Sequence, residues 1–387
     1  MRILFLTKQQ YMGKDLLRDR FGRFYEFPRM LALHDHHVRA VCLKYWDDGV
    51  TSAAGRQYLD DVEWQSFQLG KNWVAGFFRH FQRLKDIATD LAPDIIVGAS
   101  DAMHVILAAS LSARVKVPFA IDLYDDFESY WATKLPGITT QLRRAVLRAS
   151  GISTVSSNLA SKVMSEYRAT GIVRTITNAV CPEFFQPGDK IQARKKLGLP
   201  ESEKLIGTAG DLSRERGVST LLQAFQKLAR GKKNLRLVLA GRLDRRLPIP
   251  ANGKVRYLGE LPHRNVGLLF NALDVGVVSN RRDQFAESCF PQKFYEMIAC
   301  RLPMVAADIG VMRGLLAGYE NCLYQPENAD CLADAIEKQL DTPAGVDISA
   351  PTWEERGRDF HELLMEASTD WNSVSPLMMN VSGTRPF

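Results

Sequence analysis

Short apolar runs alternating with longer helical patterns constrain the fold of this chain more than any other feature. Residues 3–6, 38–42, 95–97, 119–123 and 152–155 read as buried strands, each followed by a longer segment. Strands that alternate with helices build a parallel sheet covered on both faces, so the first half reads as a doubly wound, Rossmann-like α/β lobe. The pattern breaks between residues 178 and 203, where Pro182, Pro187, Gly188 and Pro200 surround a charged run over residues 189–196. It resumes with strands at residues 205–208, 235–240, 255–258, 275–278 and 304–306. Two such lobes facing each other make a central cleft. The expected division is an N-terminal lobe over residues 1–185 and a second lobe over 186–345. Residues 346–387 hold a helix at 353–367, packing back toward the first lobe, and a tail without periodicity.

At 387 residues, with 46% hydrophobic and 24% charged content, the chain has ordinary globular composition and room for two domains. Its six cysteines, Cys42, Cys181, Cys289, Cys300, Cys322 and Cys331, form no CxxC pair, and no histidine stands at metal-ligand spacing. Neither a metal site nor a disulfide scaffold is expected, and a reducing cytoplasm fits best. The apolar run at the start meets Lys8 before a signal-peptide core can form, so it reads as a strand. No stretch approaches the roughly 18 consecutive apolar residues of a membrane-spanning helix. The net charge of +6 is spread without a nucleic-acid motif, which favours small anions or an anionic surface over nucleic acid.

Four segments combine residue types that carry chemistry. The first runs from Gly207 through Asp211, Arg214, Arg216 and Gly217 into an amphipathic helix at residues 220–228. A helix N-terminus with free N–H groups and nearby arginines suits a diphosphate, although the glycine spacing matches neither a Walker loop nor the dinucleotide fingerprint. The second, Glu287-Ser-Cys-Phe-Pro-Gln-Lys-Phe-Tyr-Glu296, leads into a helix whose inward face is Phe294, Met297 and Ile298. A carboxylate at Glu296 can accept sugar hydroxyls. The third, Ile121-Asp-Leu-Tyr-Asp-Asp-Phe-Glu128, drives an apolar strand into four carboxylates and a tyrosine, and places Tyr124, Asp125 and Asp126 where open α/β sheets bind ligands. A capping and turn cluster is the plainer reading of the same residues. In the fourth, Ser100-Asp-Ala-Met-His104, Asp101 can cap the next helix while His104 points into the cleft or sits as a structural histidine.

Taken together, these stretches resemble glycosyltransferase family 4, a group of retaining GT-B enzymes. The resemblance is strongest over residues 178–340. Asn178-Ala-Val-Cys-Pro-Glu-Phe-Phe185 looks like the family's interdomain asparagine segment, and Arg216-Gly217 like its Lys-Gly diphosphate site with Arg for Lys. Arg serves there because its planar fork grips phosphate oxygens in two places. Val255 to Leu261, containing Leu258, is similar to the loop that frames the base. Asn271 to Ser279 resembles the strand before the donor-sugar loop, and Pro291 to Glu296 the second half of the paired-glutamate signature. Asn321 to Pro326, followed by Leu332 to Ile336, looks like the turn and helix that come next. Three positions depart from the pattern: Ser288 stands where many members have Glu, with Glu287 displaced by one, Asp211 where many have Arg, and Tyr124 where many have His.

The resemblance implies transfer of a sugar from a nucleoside diphosphate sugar, with retention, to an acceptor in the first lobe. No metal and no cofactor beyond the donor substrate is implied. Arg216 is then expected at the diphosphate, with Arg214 or Arg242 compensating for Asp211. Glu296 is expected at the ribose, Lys293, Ser288, Glu287 and the amides near Phe290 at the donor sugar, and Tyr124, Asp125 and His104 at the reacting centre. Gly13 lets backbone approach the donor phosphates. The acceptor is a glycan, a lipid-linked molecule or a small molecule. Residues 71–85 interleave aromatic with basic residues at helical spacing, and Arg143, Arg144 and Arg148 add a second basic helix, so peripheral membrane contact competes with plain core packing. A nucleotide-sugar epimerase of the same fold and a non-catalytic partner protein are the alternatives.

Overall fold

The computed structural model describes residues 1–11, 13–46, 56–250 and 253–379, and the chain forms two compact units. The first joins residues 1–177 to residues 353–387, and the second holds residues 178–352. The division therefore falls at residue 178 rather than 186, and the return at 353 rather than 346. Residues 178–185 side with the second unit because Val180 donates its N–H to Pro351 O at 2.9 Å and bridges Thr352, while Phe185 packs near Phe270, ring centroids 6.4 Å apart.

In the first unit the strands are β1 (Arg2–Lys8), β2 (Gln10–Tyr11), β3 (Lys14–Asp15), β4 (His37–Lys44), β5 (Arg56–Leu59), β6 (Val62–Gln68), β7 (Ile95–Ala99), β8 (Phe119–Leu123), β9 (Gly151–Thr154) and β10 (Ile172–Thr175). Among the described residues they make a β2–β3 hairpin and an eight-stranded sheet in the order β10-β9-β8-β7-β1-β4-β6-β5. Every neighbouring pair in that sheet is parallel except β5 with β6. The chain builds outward from β1 through β4 to β6, then returns beside β1 with β7 and builds the other way. The topological switch point thus lies between β1 and β7. Central strands such as β7 and β8 are buried along their whole length, which explains why they are apolar apart from Asp122 of β8. β6 carries a polar alternation instead, and its buried Glu63 is held by Arg39 Nε at 2.8 Å.

The helices of this unit are α1 (Leu16–Asp19), α2 (Arg23–Leu33), α3 (Trp73–Leu91), α4 (Ala102–Val115), α5 (Ile138–Arg148), α6 (Ser157–Ser165) and, after the second unit, α14 (Trp353–Met379). Side-chain caps start four of them: Asp15 accepts from Leu17 N and Arg18 N, Asn72 from Ala75 N, Asp101 from His104 N, and Ser156 from Leu159 N. At the start of α2 the fully buried Arg23 is bidentate to Asp122 of β8, at 2.9 and 2.6 Å, and also donates to Ser153 Oγ and Ile176 O. Asp122, one of the four carboxylates at the end of that strand, is therefore a structural partner. α14 lies against α2, with Phe27 and Phe360 stacked at 4.5 Å and the His36 and His361 rings hydrogen bonded at 2.8 Å. Gly357 allows this approach, since a Cβ there would meet Met30 Cβ at 2.4 Å. The helix continues past residue 367, where the sequence reading assigns an unstructured tail, as far as Met379. Residues 380–387 of that tail lie outside the described residues.

The second unit contains α7 (Lys190–Leu197), β11 (Lys204–Ala209), α8 (Val218–Gly231), β12 (Leu235–Ala240), β13 (Val255–Tyr257), α9 (Val266–Ala272), β14 (Val275–Val278), α10 (Gln284–Ser288), α11 (Gln292–Ala299), β15 (Met304–Ala307), α12 (Val311–Leu315), β16 (Leu323–Tyr324) and α13 (Ala329–Asp341). Its sheet, in the order β13-β12-β11-β14-β15-β16, is parallel throughout. Val218, Leu221, Leu222, Phe225 and Leu228 recur at three- and four-residue spacing on α8 and join Leu332, Ile336 and Leu340 of α13 in one core. Chain order again reverses at the middle of the sheet, and the switch point lies between β11 and β14. The charged run over residues 189–196, where the apolar pattern breaks, is helix α7. Its Arg194, 3% exposed, donates to the carbonyls of Ala272, Glu201 and Glu203 and to Asp274.

Candidate functional site

The chain leaves β11 through Gly210 and reaches α8 at Gly217, both in the left-handed region with φ of 112° and 71°. A side chain at Gly217 would meet the Asn280 backbone at 3.0 Å, just beyond β14. Ser279 Oγ donates to Arg216 O at 2.8 Å and ties the two strand ends together. The loop is thereby held at the switch point, outside the carboxyl ends of the strands, where doubly wound sheets bind ligands. The half-buried Arg216 stacks its guanidinium 3.9 Å from the centre of the Phe285 ring.

α11 brings two further groups. Lys293 donates to Thr208 Oγ1 of β11 at 3.4 Å, and burial, helped by the neighbouring Arg216 charge, lowers its pKa to about 8. A lysine so desolvated gains when an anion arrives to pair with it. One turn later Glu296, 6% exposed, accepts on Oε1 from His263 Nε2 at 2.8 Å and from Gln292 Nε2 at 3.1 Å. Among the described residues none donates to Oε2. A buried carboxylate whose one oxygen is clamped and whose other is uncommitted is a ready acceptor for hydroxyl donors.

The remaining expected donor residues are less uniform. Ser288 and Phe290 are buried and Glu287 is exposed on α10; Phe290 O accepts from Asn178 Nδ2 at 3.3 Å. Leu258 is half-buried after β13, its N–H bonded to Leu239 O at 2.9 Å. Arg214 is exposed, and Asp211 accepts from Arg242 Nε and Nη2 at 3.1 and 2.9 Å. Arg242, a candidate to replace the missing cation at position 211, is thus engaged by the very residue that displaced it. His263 and Phe285 were not singled out from the sequence, because neither sits in a motif and only the fold brings them to Glu296 and Arg216.

In the first unit Tyr124, Asp125 and His104 gather at the other switch point. Tyr124 Oη lies 3.0 Å from Tyr130 Oη, which donates to Asp125 Oδ2 at 2.7 Å. His104 Nδ1 is 2.9 Å from Asp101 Oδ1, and Tyr45 Oη donates to Asp101 Oδ2 at 2.9 Å. Asp126 is used locally, capping a turn at Glu128 N and accepting from Lys162 at 2.8 Å. Gly13, with φ of 77°, is exposed in the turn between β2 and β3, whose neighbour Met12 lies outside the described residues. The group missed from the sequence is Lys8, which donates to Tyr124 Oη at 3.2 Å.

Two doubly wound units, each with polar side chains gathered at its own switch point, define the GT-B fold. Residues 189–359 match the family model for glycosyl transferases group 1, a stretch that covers most of the second unit and the first turns of α14. The chain is 26% identical over 253 residues to a putative teichuronic acid biosynthesis glycosyltransferase of Bacillus subtilis, covering 64% of this chain and 62% of that one. It is 26% identical over 226 residues to a D-inositol 3-phosphate glycosyltransferase of Stackebrandtia nassauensis, covering 54% and 50%. The matches therefore span between half and about three fifths of those relatives' lengths. Sucrose-phosphate synthase from Thermosynechococcus elongatus shares the fold over 99% of this chain and 100% of its own, with a TM-score of 0.72 at 16% identity. Anabaena HepE, in complex with UDP, does so over 97% and 100%, with a TM-score of 0.67 at 17% identity. Among the described residues no helix is long and apolar enough to cross a membrane.

Proposed function

We propose that the protein is a glycosyltransferase of the family 4 type, which moves a sugar from a nucleoside diphosphate sugar to an acceptor with retention of configuration and without a metal. The observation that carries this reading is the convergence of Arg216, Lys293 and Glu296 at the switch point of the second unit. Arg216 and Lys293 bind the diphosphate and stabilise the charge that grows on it as its bond to the anomeric carbon breaks, a preorganised electrostatic role. Glu296 takes the ribose hydroxyls on its uncommitted oxygen. The acceptor hydroxyl forms the new bond at the same carbon, its proton leaves, and the nucleoside diphosphate departs.

Calorimetry with UDP tests the reading directly. Wild-type protein is expected to bind, and Arg216→Ala to bind roughly 30-fold more weakly through loss of a forked phosphate contact worth about 2 kcal/mol. Lys293 supplies a pH signature. It is protonated below about 8, so UDP affinity stays level from pH 7 to 8 and falls above it, and Lys293→Met removes that fall. No binding of UDP, GDP or ADP by the wild-type chain would sink the proposal.

We infer further that the first unit docks on an anionic lipid surface. α3 leaves Val74 84%, Phe78 65% and Trp73 43% exposed, beside exposed Lys71, Arg79 and Arg83. Such a face gains apolar burial at the headgroup boundary and about 1 kcal/mol per basic residue near anionic lipid. Cosedimentation with phosphatidylglycerol vesicles is expected for the wild type and not for Phe78→Asp. Equal recovery with neutral phosphatidylcholine vesicles would remove the electrostatic part of the argument.

A further inference from the structure

Three histidines meet at the seam between α14 and the rest of the first unit, and neither the donor site nor the groups around Tyr124 use them. His34 follows α2, His36 precedes β4, and His361 stands on α14. The His361 ring is stacked 4.7 Å from that of His34 and 4.9 Å from that of His36. His36 is 9% exposed, with Nδ1 3.1 Å from the Met1 amino group and Nε2 2.8 Å from His361 Nδ1. An ammonium can only donate, so His36 Nδ1 accepts and the ring carries its proton on Nε2. That N–H then donates to His361 Nδ1, which holds no proton of its own. One chain of donors runs from Met1 through His36 to α14, and it closes only when both imidazoles are neutral.

A proton added to either ring breaks this chain. On His36 it would set a second N–H against the Met1 ammonium, two donors and two positive charges face to face. On His361 Nδ1 it would oppose the His36 Nε2–H in the same way. The surroundings of both rings act in the same direction. Burial, then the Met1 ammonium, His361 and His34, lower the pKa of His36 to about 4, with Asp35 opposing them. Burial, then His34 and the Met1 ammonium, lower that of His361, with Glu362 opposing them. Glu362 is shared with Arg174 of β10, whose Nη1 lies 3.5 Å away.

We propose that this histidine stack is a proton-sensitive latch, which holds α14 on the first unit near neutral pH and lets the helix open as the surroundings acidify. The latch stands independently of the glycosyltransferase reading. Its sign follows from linkage. A histidine whose pKa is lower in the folded state contributes stability that is present above its unfolded value, 6.5 for His36, and is lost as pH falls toward the folded value of about 4. Phe360, Leu363, Leu364 and Ala367 on the same helix are completely buried and do not titrate. Acid therefore shifts an equilibrium of local opening rather than stripping the helix away outright.

Hydrogen exchange of the full chain, read by mass spectrometry over residues 353–367 and corrected for the intrinsic pH dependence of exchange, tests the latch. Between pH 7.5 and 5, a window in which ordinary carboxylates stay ionised, His36 alone is expected to raise the opening of α14 roughly 25-fold. β7 in the same unit and α13 in the other serve as references and are expected to keep their protection. His36→Gln combined with His361→Asn leaves a hydrogen-bonding amide at each position but removes the titration, so α14 should be equally protected at both pH values. Level protection of α14 in the wild type overturns the latch. A loss of β7 protection that keeps pace with α14 overturns it as well, because the event would then be acid unfolding of the whole unit. A double variant that still opens on acidification places the titration elsewhere and has the same consequence. If the double variant fails to fold, the wild-type comparison of α14 with β7 decides alone.

Discussion

Glu296→Ala is expected to raise the Kd for UDP roughly a hundredfold, the largest effect of any single change in the donor site. The carboxylate is 6% exposed, and its Oε1 already holds His263 and Gln292. Two ribose hydroxyls donating to a charged acceptor contribute about 1.5 kcal/mol each beyond their bonds to water, which sums to the stated factor. Truncation also strips His263 and Gln292 of their shared acceptor, so part of the loss would come from the empty protein. A nucleotide cycle separates the two contributions. UDP and 2′,3′-dideoxyuridine diphosphate are titrated into wild type and variant, and the dideoxy compound should lose little more than its first-site deficit when Glu296 is removed. If both nucleotides weaken equally, the glutamate does not hold the ribose.

Asp122→Ala is expected to destabilise the first unit by about 3–5 kcal/mol. The change leaves the Arg23 guanidinium fully buried without its carboxylate partner, though Ser153 Oγ and Ile176 O still accept from it. Its charge then loses the partner that offsets its desolvation. For a domain of this size the deficit corresponds to a fall of roughly 10 °C in Tm. Arg23→Met with Asp122→Leu removes both charges and should recover most of the loss, as buried ion pairs replaced by apolar groups commonly do. Urea or thermal unfolding of the single and double variants reads the difference. A single variant within about 1 kcal/mol of wild type would mean that water reaches Arg23.

The contrast between these two carboxylates shows what the sequence made legible. Residues 119–123 and 304–306 read as strands because buried parallel strands are apolar on both faces, and the alternation of such runs with helices fixed the doubly wound class. β6 gave no such signal, since its buried Glu63 pairs with Arg39 of β4 and its Gln65 donates to Glu63. α7 read only as a charged run at the break in the pattern because its lysines hide Arg194, whose four partners come from residues 201, 203, 272 and 274. Asp122 and Asp125 look alike in a row of acids, and only the approach of Arg23 makes one structural. Arg216 and Glu296 were singled out through motifs, which depend on short spacings along the chain. Lys8 was visible merely as the residue that ends an apolar strand, and its meaning depends on β7 and β8 arriving from 90 and more residues away.

The return of the chain has a consequence for the order in which the molecule is made. Phe360, Leu363, Leu364 and Ala367 of α14 are completely buried against a unit whose first strand is residues 2–8. The first unit to be synthesised is therefore the last to be completed, and during translation it waits with an uncovered apolar face while residues 178–352 emerge. The second unit is contiguous and closes on itself through the Val180 to Thr352 bridge, so it can finish folding first. A stop codon before α14 would thus damage the beginning of the protein rather than its end.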